Sequence, residues 1–294
     1  MACILGVGIA TLDIINTVDR YPAEDMEVRA VAQSLRRGGN VTNTLVVLSQ
    51  LGHDCRWAGT LADDSDSGII RAELAQFAVD MGAVRTIAGG HAPTSYIALS
   101  RENGSRTIVH YRDLPEYSCE DFQRVDLASV QWLHFEGRNV VHTRRMLEHA
   151  RARHPALPIS VEMEKPREGV AQLGDLADLL LYSRHFAEHH GFHTPAAFLE
   201  EMQRRHPGAQ HVCTWGGQGA FGLDRDGPMR HSPAFPPAQV VDTLGAGDTF
   251  NAGFIHARLA GADLSDSLQA ACRLAGRKCG QPGLHGLAGA ENDG

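Results

Sequence analysis

The 294-residue sequence is short of several features that would assign a function at once. It contains no Gly-Lys dipeptide, so the Walker A loop of the classical P-loop ATPases is absent. Its six cysteines, Cys3, Cys55, Cys119, Cys213, Cys272 and Cys279, include no CxxC pair, which excludes a zinc ribbon and fits a reducing compartment better than a disulfide framework. No stretch is long and apolar enough to span a bilayer. The N-terminal "MACILGVGIATLD" lacks the basic flank of a secretory signal and reaches an acid early, so a cytoplasmic protein is expected. Positive charge is in deficit as well: the formal net charge of -8 argues against a general nucleic-acid binder.

What is present is glycine, placed where apolar runs end. In "VVDTLGAGDTFNAGF", residues 240 to 254, an apolar segment gives way to a predicted helix through Gly245, Ala246 and Gly247, followed at once by Asp248. A helix start points unpaired N–H groups outward and favours an anion. A carboxylate beside such a cradle suggests phosphoryl transfer to a hydroxyl, with the acid as proton acceptor. The competing reading is a Gly-rich helix start in which Asp248 only complements the dipole. "RRGGNVTNTLVVLSQLG" is the second informative stretch. Asn40 and Asn43 lie three apart on one helix face after Gly38 and Gly39, and amides both donate and accept, as a neutral polyol requires. Asp13 and Asp25 flank this region, and Arg106 on a predicted strand could meet phosphate.

The apolar runs alternate with helical patterns from "VQWLHFEG" to "HVCTW", predicting a parallel sheet covered by helices on both faces. Helices are expected over about 140–153, 166–174, 184–206, 246–260 and 264–279, and over "DSGIIRAELAQFAVDMG" with Gly82 as terminator. A strand over Met26–Leu35 and a hairpin turning at Asn103-Gly104 predict a small half-exposed sheet, a natural lid. The Gly-rich tail after residue 280 is expected to fray. Two further motifs compete for attention. "GVGIAT" approaches a dinucleotide fingerprint but lacks its third glycine. "HFAEH", His185 to His189, matches the HxxEH pattern of a class of zinc peptidases, with no third ligand evident.

Taken together, "GGNVTNTLVVLSQLG" and "DTLGAGDTFNAG" resemble the two signatures of the ribokinase-like (PfkB) carbohydrate kinases. "LDIINTVDRYPAED", "NGSRTI", "DLPE", "FEGRN", "VEMEKPRE", "AFPPAQVVDTLGAGDTFNA" and "AGRKCG" are similar, in order and spacing, to the ketohexokinase branch over roughly residues 1 to 283. The resemblance implies a three-layer αβα sandwich with a mostly parallel central sheet (1–12, 38–93 and 113–294) and a β-sheet lid (13–37 and 94–112). It implies transfer from ATP with Mg2+ to the 1-hydroxyl of D-fructose, with K+ as a further candidate cofactor. Asp248 would be the base, and Gly245, Ala246 and Gly247 the anion hole. Asp13, Asp25, Gly39, Asn40, Asn43 and Arg106 would hold the sugar, and Trp215, Gly217, Gly219, Phe235, Pro236, Asn251 and Cys279 the nucleotide. A homodimer through paired lids is implied too. The family's NxxE motif is replaced by "YSRHFAEHHG", with Ser183 where Asn is usual, which leaves the metal ligands open; Glu162 and Glu164 are candidates. The alternatives are a kinase of the same fold for another ketose, an aldopentose or a nucleoside, and, more distantly, the zinc peptidase or a sugar-binding protein without catalysis.

Overall fold

Among the described residues two large sheets of different character are accompanied by a two-stranded one. The computed structural model describes residues 1–102 and 105–288, so the expected Asn103-Gly104 turn lies outside the described residues, as does the tail beyond 288. Its strands are β1 (Cys3–Val7), β2 (Thr11–Val18), β3 (Ala32–Gly38), β4 (Asp54–Ala58), β5 (Thr60–Ala62), β6 (Arg85–Ile87), β7 (Thr94–Ser100), β8 (Arg106–Tyr111), β9 (Trp132–Glu136), β10 (Ile159–Met163), β11 (Leu179–Ser183), β12 (Gln210–Thr214), β13 (Ala220–Leu223) and β14 (Arg230–Ser232). The α-helices are α1 (Asn40–Gln50), α2 (Ser65–Gln76), α3 (Cys119–Phe122), α4 (Val140–Arg153), α5 (Arg184–His189), α6 (Pro195–Arg205), α7 (Ala246–Leu259) and α8 (Leu264–Cys279).

The eight-stranded sheet runs β14-β13-β12-β11-β10-β9-β1-β4. Its six strands from β12 to β4 are mutually parallel, and β13 and β14 add an antiparallel edge. Side chains alternate between two cores, because successive strand residues point to opposite faces. Leu5, Leu133, Val161 and Leu180 pack with Met146 of α4 and Phe198 of α6. Ile4, Trp132, Leu181 and Val212 pack with Leu45 of α1, Phe254 of α7 and Leu268 of α8. Burial on both faces is why these strands read as continuous apolar runs. The glycines of "GVGIAT" serve this packing: a Cβ on Gly6 would stand 2.5 Å from Val41 and one on Gly8 2.9 Å from both Val41 and Glu136, so both let α1 lie close on β1.

The second sheet runs β3-β2-β7-β8, with β2 parallel to β7 and the other pairs antiparallel. β2 is a central strand of this sheet, between β3 and β7. Several expectations are corrected. The Met26–Leu35 strand begins only at Ala32, because its partner ends: Ala32 faces Thr17, and Val31 donates the last bond to Thr17 O. Helix α2 stops at Gln76, and Ala78, with φ 52°, turns the chain before Gly82 is reached. Residues 170–176 form a 3₁₀ helix in place of the helix expected over 166–174. The tail is packed as far as it is described: Leu287 is fully buried, its N–H bonds Gln50 Oε1, and Gln50 Nε2 bonds Leu284 O. "HFAEH" lies in α5, where Glu188 pairs with Arg184 one turn earlier.

Candidate active site

A cavity of about 800 Å3 opens where the parallel strands end, between the main sheet and the inner face of the small one. Carboxyl ends of parallel strands are where open α/β sheets bind ligands. Its floor is the start of α7. Gly245 caps that helix with φ 78°, a left-handed conformation that suits glycine, and Asp248 is the one acid in the first turn. Helix geometry leaves the N–H groups of this turn without intrahelical acceptors. Nothing lies within 4 Å of where a Gly247 Cβ would stand, so the approach to them is open.

Asp248 is buried, and its Oδ2 accepts a 2.7 Å hydrogen bond from Asn43 Nδ2. Asn43 Oδ1 in turn accepts from Arg37, whose guanidinium also bonds Thr42 and faces Glu73 at 3.5 Å. That second bond fixes which end of the Asn43 amide meets the carboxylate. Burial pushes the Asp248 carboxyl up to about 7; Glu164 and Glu136 add to the rise, while the Asn43 bond and the Arg37 charge oppose it. A carboxyl balanced near neutrality is suited to taking a proton at physiological pH.

The neighbouring acids form a second layer. Glu162, at the end of β10, accepts from Asn251 Nδ2 at 2.9 Å through Oε1, while its Oε2 is buried with no hydrogen-bond partner. Burial, then the charges of Asp248, Glu164 and Glu136, raise its carboxyl well above the ordinary value. Glu164 Oε2 accepts from Asn40 Nδ2 at 3.0 Å. Among the described residues no group of three or more His, Cys, Asp or Glu is arranged to hold a metal ion by itself. A cation arriving with a nucleotide would meet here both negative charge and an unsatisfied oxygen, so these residues fit one held through water.

The structure brings Asp13, Gly39, Asn40, Asn43 and Arg106 to the cavity wall with Gly245, Ala246, Gly247 and Asp248. Asp25 lies elsewhere, exposed and left-handed at φ 62°. Of the residues expected to hold the nucleotide, only Asn251 lines the cavity. The others form a neighbourhood beside it. Trp215 N–H bonds Gly219 O, and a Cβ on Gly219 would stand 2.0 Å from Ser232 O. Phe235 lies against Gly276 and under the Arg273 guanidinium, while Val241 N–H bonds Cys279 O. Sequence reasoning singled out Arg106 but missed the rest of a cationic rim. Arg36, Arg106, Arg138, Lys165 and Arg167 all line the cavity, although the acceptor motif itself carries few basic residues. Part of that charge is neutralised locally, Arg138 by Glu136 and Glu116 and Arg36 by Asp242. Besides Arg106, the visible signals were the doublet Arg36-Arg37 beside Gly38 and the basic residues inside "FEGRN" and "VEMEKPRE".

Comparison with known proteins agrees with this geometry. The family model described as "pfkB family carbohydrate kinase" matches residues 1–287. Ketohexokinase of Mus musculus is 41% identical over 292 residues, covering 97% of this chain and 98% of that protein. A fructosamine kinase of Bacillus subtilis is 27% identical over 92% of the chain and 90% of that protein. Among solved structures, Arabidopsis thaliana ribokinase complexed with ribose and ATP superposes with a TM-score of 0.81 at 21% identity, covering 96% of this chain and 94% of that one. The αβα architecture, the helix-start acid and its paired amide thus occur in a chain that belongs to the pfkB family of carbohydrate kinases.

Proposed function

We propose that this chain is an ATP-dependent ketohexokinase that transfers the γ-phosphate to the 1-hydroxyl of D-fructose, giving fructose 1-phosphate and ADP. The observation that carries this reading is the buried Asp248 carboxylate, held at 2.7 Å by Asn43 in the first turn of α7 and open to the cavity; the 41% identity to mouse ketohexokinase supports the choice of acceptor. Asp248 takes the proton of the acceptor hydroxyl as its oxygen bonds the γ-phosphorus. The bond from that phosphorus to the β–γ bridging oxygen breaks, and ADP leaves. The N–H groups at Gly245, Ala246 and Gly247 receive the equatorial oxygens during transfer, the Ala246 N–H exchanging its long 3.3 Å bond to Thr243 O for the phosphoryl group, and positioning and charge stabilisation do most of the catalysis. Asp13, Gly39, Asn40, Asn43 and Arg106 hold the sugar. The neighbourhood of Trp215, Gly217, Gly219, Phe235, Pro236, Asn251 and Cys279 flanks the adenine side. Glu162 and Glu164 would hold water on a Mg2+ ion, which neutralises phosphate charge when bound. The small sheet, within 13–37 and 94–112, acts as a lid over the body formed by 1–12, 38–93 and 113–294.

The test is ADP release from magnesium-ATP with fructose, other ketohexoses, ribose, adenosine and fructose 1-phosphate, with K+ varied as a candidate activator. Fructose is expected to turn over fastest, and NMR should place the phosphate on its 1-oxygen. Preference for any other acceptor would move the substrate and keep the chemistry. The cationic rim favours one such second reading, an acceptor bearing an anionic group, and fructose 1-phosphate tests it.

The outer face of the lid supports a homodimer. Ile14, Tyr96 and Val109 are direct cross-strand neighbours on the side away from the cavity, with Tyr96 51% and Val109 65% exposed. An apolar row on a half-open sheet is a natural contact between copies. Light scattering should give about twice the monomer mass, and Val109→Asp should shift it to monomer; a monomeric native protein would remove the proposal. Free thiols at all six cysteines and the lack, among the described residues, of any helix long and apolar enough to cross a membrane are compatible with a cytoplasmic location.

A further inference from the structure

Lys278, near the end of α8, is entirely buried. Its ammonium has three protons, and three oxygens receive them: Asp242 O at 2.9 Å, Asp242 Oδ2 at 3.0 Å and Gln281 O at 3.5 Å. A buried ammonium is tolerated only when its donors are met in this way. The partner it holds is the residue that begins the Asp242–Gly245 turn into α7. Asp242 Oδ1 accepts the Leu244 N–H at 2.9 Å, and Oδ2 accepts the Gly283 N–H at 3.0 Å and the Arg36 guanidinium from β3 at 3.0 Å. Although burial works in the other direction, the Gly283 and Leu244 N–H groups and Lys278 keep this carboxyl below its ordinary value. The turn is closed further by Ala246 N–H on Thr243 O. Lys278 does not itself line the cavity; it braces the turn through Asp242, which lines the cavity with Thr243 to Asp248.

Resting on the kinase reading above, we propose that Lys278 is a positioning residue for phosphoryl transfer: its tethered ammonium seats Asp242 and, through it, aims the first-turn N–H groups of α7 at the migrating phosphoryl group. Lys278 is fully buried and does not line the cavity. Its loss should therefore lower kcat and leave the KM for fructose within about twofold, as expected for a stabilisation made only in the transition state.

Two variants test this. Lys278→Met keeps the apolar stem and removes the charge; its kcat is expected to fall at least about tenfold. Lys278→Ala leaves a hole walled by three oxygens, which a small cation can refill. At constant ionic strength, ammonium and methylammonium should restore its turnover saturably and raise its melting temperature over the same concentration range, whereas tetramethylammonium should do neither. A native kcat in Lys278→Met would overturn the proposal. So would a Lys278→Ala protein that ammonium neither activates nor stabilises. A wild-type protein inactive on every acceptor would indict the kinase reading instead, and the melting shift would still decide whether an ammonium belongs in this cage.

Discussion

Asp248→Asn is expected to lower turnover on fructose at least about 10²-fold, the scale of losing a general base, while the protein stays folded and binds nucleotide nearly as before. The side-chain carbonyl of the new amide can still accept the bond from Asn43, so geometry is kept and only proton acceptance is lost. Stability should move the other way. Burial raises the Asp248 carboxyl to about 7 from an ordinary 3.8, so folding favours its neutral form. The stability linked to that neutral form is fully present below the ordinary value and is lost as pH rises through 7. At pH 8 the Asp248→Asn protein, uncharged at this position, should therefore melt at or above the native temperature, although it is nearly inactive. The same carboxyl sets a pH profile: kcat/KM of the native enzyme should rise with pH, reach half its plateau near pH 7 and stay flat above. Near-native turnover in the variant would remove Asp248 from the chemistry, and a profile flat from pH 5 to 8 would place its titration elsewhere.

Gly39→Ala carries the second large effect, and here the backbone decides. Gly39 precedes α1 with φ 109°, a region L-residues rarely enter, and a Cβ there would stand 2.2 Å from Ile9 O. The backbone strain alone costs about 1–3 kcal/mol, and the Ile9 carbonyl cannot give way without moving the β1–β2 connection. A cost of about 2 kcal/mol corresponds to a fall of about 4 °C or more in melting temperature. Because the turn launches Asn40 and Asn43, the KM for the acceptor should rise about tenfold with little change for ATP. Gly52→Ala is the control, with a similar φ of 86° and nothing within 4 Å of its Cβ. It should lower the melting temperature modestly and leave KM unchanged. Equal acceptor KM values in the two variants would refute the claim that Gly39 shapes the site.

The readable parts of the sequence were those whose signal is local. β9 to β12 are apolar on both faces and bounded by polar turns, so their periodicity and length identify them. α7 and α8 begin within a residue of where their caps predict, and Gly245 to Asp248 stand beside Asn43 as the paired motifs suggest. What escaped depended on partners. The strand expected from Met26 starts late because β2 has run out of residues to pair with, which no propensity encodes. Arg138, Lys165 and Arg167 each look like a solvated charge in sequence; only the topology brings them to one rim with Arg106. Arg37 is similar: a doublet of arginines before two glycines does not announce that one will be buried to orient an amide. Of the residues proposed for the adenine side, Asn251 lines the cavity and the others cluster beside it, because family motifs mark neighbourhoods more firmly than walls.

The hydrogen bond between Asn43 and Asp248 joins residues 205 positions apart, and the bonds of Arg36 to Asp242 and Asn40 to Glu164 span 206 and 124. Loop-closure entropy must be met before such contacts gain anything. In a refolding chain, α4 or α6 can form on local contacts alone, but Asp248 and the Asn43 amide bonded to it meet only once the strands between them are in register. Recovered activity therefore reports completion of the whole parallel sheet, whereas recovered helicity reports only its covering.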